Sequence, residues 1–117
     1  MQKKEKKSMS TETEIKGRTF KAAEMTEIQP GAVVSRTLIQ KKTGTLTLFA
    51  FDAGQALSEH TAPFDATVLA LEGEAEITIS GKPHRVKKDD LLIMPANEPH
   101  GLKALTPFKM LLVMIRE

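Results

Sequence analysis

Residues 74–80 alternate strictly: Ala75, Ile77 and Ile79 are apolar, and Glu74, Glu76 and Thr78 separate them. A period of two sends the apolar set to one side of an extended chain, so the segment predicts a strand with one wet face. Ser80-Gly81-Lys82 then reads as a tight turn, and Pro83 starts the next short strand where its missing N–H is tolerated. His84 and Val86 share a parity in that strand, before Lys87-Lys88-Asp89-Asp90 interrupts it. Residues 66–71 predict a strand ending at Glu72-Gly73, and Leu91–Met94 a compact apolar strand closed by Pro95. Phe108–Ile115 is almost continuously apolar, which suits either a central strand or an edge buried by dimerisation.

The first half is less regular. Val33, Val34, Leu38 and Ile39 mark a strand-forming region after the Pro30-Gly31 punctuation. Residues 45–52 follow a polar break and carry apolar groups on both parities: Leu46, Leu48 and Ala50 on one, Phe49 and Phe51 on the other. Such a strand is covered on each side, by barrel contents or by a partner. Residues 15–28 suit a short helix or an irregular strand equally, with Phe20, Ala23 and Ile28 over a core. Residues 1–14 are rich in Lys, Glu, Ser and Thr and have little apolar surface to offset ordering, so they predict a flexible tail before a domain at 15–117.

Many short strands with frequent turns and no long amphipathic helix point to an all-β sandwich or closed antiparallel barrel. At 117 residues the chain suits one domain. Its net charge of +2 comes from the tail, because residues 1–16 hold five Lys and three Glu of the 17 basic and 15 acidic side chains. The balanced remainder, with five Phe and no Trp or Tyr, argues against a nucleic-acid or membrane surface. The lack of cysteine excludes disulfides, a thiol nucleophile and thiolate metal sites. No spanning run or signal-peptide core is evident, so a soluble cytoplasmic protein is expected.

Two motifs carry a family resemblance. Gly54-Gln55-Ala56-Leu57-Ser58-Glu59-His60, running on to Glu72-Gly73, resembles the first cupin motif, in which glycine precedes histidine by six positions. Asp89-Asp90-Leu91-Leu92-Ile93-Met94-Pro95-Ala96-Asn97-Glu98-Pro99-His100 resembles the second, with Asp89 in place of the usual glycine. The chain is thus similar to single-domain, cupin 2-like conserved-barrel proteins. This implies a double-stranded β-helix, or RmlC-like jelly-roll barrel, that binds a small polar organic ligand or metabolite. The family also includes dioxygenases, isomerases, epimerases and decarboxylases, so the resemblance admits an enzyme, or an effector-sensing accessory protein. It further implies a homodimer.

A typical cupin cage holds a divalent transition metal such as Fe, Mn, Ni or Zn with three histidines and a glutamate. Position by position, His60 and His100 remain, whereas Ala62 and Ala66 replace the second histidine and the glutamate. His84 is the only other histidine and a possible third ligand. Without a metal, the two imidazoles still contact ligand or move protons, and Asp65 is a candidate to orient one of them. Phe51, Phe64 and Met94 are candidate ligand contacts. Met94, Met110 and Met114, with Phe49, Phe51, Phe64 and Phe108, line an adaptable interior or simply fill the core. Ser58, His60 and Asp65 have the letters of a triad but no nucleophile turn, and the glycines match no phosphate loop.

Overall fold

The computed structural model describes residues 14–117; the predicted tail falls almost wholly outside them. A short 3-10 turn at Ala22–Glu24 precedes nine strands. They are β1 (Val33–Lys41), β2 (Gly44–Phe51), β3 (Ala56–His60), β4 (Asp65–Glu72), β5 (Glu74–Ile79), β6 (Lys82–Lys87), β7 (Leu91–Met94), β8 (His100–Ala104) and β9 (Phe108–Ile115). All pairings are antiparallel and form two sheets, ordered β1-β2-β9-β4-β7 and β3-β8-β5-β6. This is an all-β, two-sheet jelly roll, of the all-β class that the strand pattern predicts and with the architecture that the resemblance implies.

Register sorts the side chains. On β5, Ala75, Ile77 and Ile79 are buried, as their alternation requires. Across the five-stranded sheet, Phe51 stands opposite Phe108, and Met110 lies between Phe49 and Ala70. These residues join Ala75, Ile77, Val86 and Leu102 of the other sheet in one core cluster. Phe51 and Phe108 are fully buried with centroids 6.0 Å apart. Strand β9 is the central strand of its sheet, which decides between the two expectations for its unbroken apolar run.

The other face of the same sheet explains residues 45–52. Leu48 and Ala50 are fully buried although their register partners, Arg36 with Leu111 and Val34 with Lys109, belong to the outward set. The ambiguous segment before β1 provides cover, because the 3-10 turn packs on β4 and β9. Its carbonyls are held by long cations from below: Lys109 Nζ donates to Ala23 O at 2.7 Å and Arg36 Nη1 to Met25 O at 3.2 Å. Barrel contents therefore lie on one side of this sheet, and the chain's own N-terminal segment lies on the other, against β4 and β9 and tied to Arg36 of β1 and Lys109 of β9.

One turn is closed by a glycine with no substitute. Gly73 joins β4 to β5 at φ +79, and a β-carbon there would overlap the Pro107 carbonyl oxygen. Only a residue without a side chain satisfies both demands.

Candidate functional site

Strands β3 and β8 pair at the open end of the four-stranded sheet, and His60 stands directly opposite His100. Residues opposite each other in a ladder share a face, so both imidazoles project to the same side. Their centroids lie 4.4 Å apart with planes at 68°, an edge-to-face pair. His100 is buried at 7% exposure, whereas His60 is exposed at the rim.

Both rings are oriented in the same way. His60 Nδ1 donates to Ser58 O at 2.8 Å, and His100 Nδ1 donates to Glu98 O at 3.0 Å. A carbonyl oxygen can only accept, so each Nδ1 carries a hydrogen and Nε2 is left as the working position. In a neutral ring that position offers a lone pair, and in an imidazolium it offers a donor.

The rings border a cavity of about 40 Å³. Leu57, Val68, Leu102 and Leu112 form much of its wall, with Met94 and Met110 and the backbone at Gly101. No Asp, Glu, Lys or Arg lines it. Two imidazoles therefore border an otherwise apolar hollow, and a hydrogen bond made by the buried His100 ring meets less competition from water than one made by exposed His60.

The loop that carries His100 is tied down from three sides. Ala96 N–H donates to Asp65 Oδ1 at 2.9 Å, Asn97 N–H to Ala62 O at 2.8 Å, and the Ser80 hydroxyl to Glu98 Oε1 at 2.9 Å. Ser80 N–H also reaches Pro99 O at 2.8 Å. Fixing the loop before a ligand arrives removes an ordering cost from binding.

Not every residue singled out in the sequence reaches this hollow. Met94 does. Phe51 is instead sealed among Phe49 and Phe108, so its ring is core packing rather than cavity wall. Phe64 is half-buried beneath the Arg116 guanidinium, 5.1 Å from its ring centre, and lies outside the lining. Asp65 is exposed and uses an oxygen on the Ala96 amide, a loop tie instead of a contact to either imidazole. His84 stands opposite Ile77 on edge strand β6 and does not line the cavity. The sequence pattern does not mark Leu57 and Leu102, because β3 and β8 show no clean alternation of their own.

A four-ligand cupin cage does not fit these residues. Ala62 and Ala66 offer no ligating side-chain atom, and among the described residues no three His, Cys, Asp or Glu stand together to hold an ion. The two imidazoles alone fall short of the usual ligand count.

The family profile described as Cupin domain matches residues 47–115. A conserved protein of unknown function from Streptococcus pyogenes is 37% identical, over 86% of this chain and 89% of its own, with a TM-score of 0.84. A cupin superfamily protein from Desulfitobacterium hafniense is 30% identical, over 86% and 93% of the two chains, at 0.82. A cupin 2 conserved barrel domain protein from Leptotrichia buccalis is 40% identical over 80% of this chain, which spans 46% of that longer one, at 0.79. No match was found among curated proteins. Among the described residues, no helix is long and apolar enough to cross a membrane.

Proposed function

Since this chain belongs to the cupin domain family, we propose that its barrel binds a small organic molecule between the two sheets, with His60 and His100 as polar anchors. The observation that carries the reading is the pair of imidazoles, each with Nδ1 held by a backbone carbonyl, bordering an apolar cavity of about 40 Å³. A cavity of that measure takes about three water-sized groups, so the buried part of the ligand is compact. Its body is apolar, to match Leu57, Val68, Leu102 and Leu112, and its head is polar, to meet the imidazoles. Met94 contributes to the wall, and Asp65 serves by holding the loop before His100.

Imidazole nitrogen NMR tests the reading. Short-chain alcohols, amides and carboxylates are added in turn to metal-free protein, and both ring systems are followed. A true ligand moves the Nε2 resonances of both histidines together, and His60→Ala or His100→Ala weakens its binding about tenfold or more. Binding that survives in both variants sinks the proposal.

The proposed partner is a second copy. Leu91, Ile93 and Ile115 are 60%, 55% and 59% exposed, and register puts them on one sheet face with Leu69, Leu111 and Val113. An apolar patch of this kind on a sheet face suits association. The cysteine-free sequence agrees with a cytoplasmic protein.

A further inference from the structure

We propose that Ser80, at the tip of the β5–β6 hairpin, is a positioning residue for His100 and sets the tautomer that its ring presents. The proposal deepens the organic-ligand reading, and its consequence for binding rests on that reading.

The turn itself is the first sign. Ile79 pairs with Lys82, so Ser80 and Gly81 alone form the loop, and both take positive φ, at +48 and +82. A two-residue turn of that hand favours Asn-Gly, Asp-Gly or Gly-Gly, because most residues with a β-carbon are strained there. Among the described residues, the other side-chain-bearing positions with positive φ are Asp89 and Asn97, whose types suit it. Serine suits it less well, and a local misfit of this kind points to a task for the side chain.

The contacts show the task. The Ser80 hydroxyl donates to Glu98 Oε1 at 2.9 Å, and the Ser80 N–H donates to Pro99 O at 2.8 Å. Ile79 stands opposite His100, so the second bond extends the β5–β8 pairing one step past the histidine. Ser80 thus grips Glu98 by its side chain and Pro99 by its backbone. The carbonyl of Glu98 accepts from His100 Nδ1 at 3.0 Å, and a carbonyl held in place keeps the hydrogen on that nitrogen. His100 is buried and borders the cavity, whereas Ser80 is exposed and does not line it. The effect therefore reaches the ring through the Glu98–Pro99 backbone. His60 has the same kind of carbonyl partner in Ser58, on its own strand, and serves as an internal control.

The test is imidazole nitrogen NMR of the full-length, ligand-free protein at alkaline pH, where the tautomers of neutral imidazole are read. Native protein should carry hydrogen on Nδ1 of both histidines. Ser80→Gly relaxes the turn and removes the hydroxyl. It should keep or raise the urea midpoint, yet lower the ratio of Nδ1–H to Nε2–H forms at His100 about fivefold, with His60 unmoved. Ser80→Asn also suits the turn and restores a donor, so it should recover most of that ratio. An unshifted His100 ratio in Ser80→Gly overturns the proposal, whatever happens to the midpoint. So does a native His100 with its hydrogen on Nε2, or an equal shift at His60, which marks general loosening. A Ser80→Asn ratio no better than that of Ser80→Gly does the same. These readouts need no ligand, which separates the two readings. A His100 ratio that depends on Ser80, in a barrel that binds no organic molecule, overturns the earlier proposal alone. Organic ligand bound alongside an unshifted ratio overturns only the role of Ser80.

Discussion

The carboxylate of Asp65 accepts the backbone N–H of Ala96 at 2.9 Å, and so ties the start of β4 to the turn that leads into His100. This hydrogen bond is to the loop, not to an imidazole. Asp65→Asn keeps an acceptor oxygen and should leave unfolding free energy within about 0.5 kcal/mol of the native value. Asp65→Ala removes it and should cost about 1 kcal/mol, with faster amide exchange at Ala96. Urea denaturation and hydrogen exchange check both. Equal losses in the two variants would mean that the charge, not the hydrogen bond, is what matters.

Gly73→Ala should be among the most damaging single changes. Its left-handed backbone costs a residue with a β-carbon about 1–2 kcal/mol, before any displacement of Pro107. The clash involves backbone, which cannot swing aside as a long side chain can. A total loss of roughly 3 kcal/mol or more is expected from denaturant midpoints. A change below about 1 kcal/mol would show that the β4–β5 turn readily re-forms another way.

Lys109 holds the N-terminal segment against the sheet through Ala23 O. Lys109→Met preserves the apolar stem and removes the ammonium, which should cost about 1 kcal/mol of local stability. Exchange of the amides of residues 22–26 should accelerate while the imidazole resonances of His60 and His100 stay in place. Unchanged exchange would assign the cover to packing alone.

Leu91→Lys with Ile93→Lys tests the proposed pairing of two copies. Both side chains are more than half exposed in the single chain, so the double variant should fold with little loss. Sedimentation across a wide concentration range should give dimer for the native protein and monomer for the variant. A native protein that remains near 12.9 kDa at high concentration rules the pairing out.

Much of the fold can be read from short stretches. The alternation of Ala75, Ile77 and Ile79 predicts β5, and the apolar runs at Leu91–Met94 and Phe108–Ile115 match β7 and β9. Strands β3 and β8 are harder to see. Ala56–His60 is mostly exposed, and His100–Ala104 contains Gly101 and Lys103 among apolar residues, so neither has a clear period. Likewise, nothing near Phe51 in sequence distinguishes a cavity wall from a core. Its neighbour Phe108 is supplied by the far end of the chain.

The sequence by itself determined where most of the second half is extended, where it turns, and that His60 and His100 lie in cupin motifs, because each rests on residues close together in the chain. Tertiary structure alone decided that their rings meet edge to face, that Met94 joins them while Phe51 and Phe64 do not, and that the N-terminal segment packs on β4 and β9. The physical reason is register: a strand's period says which side chains travel together, but only its partners fix what they face.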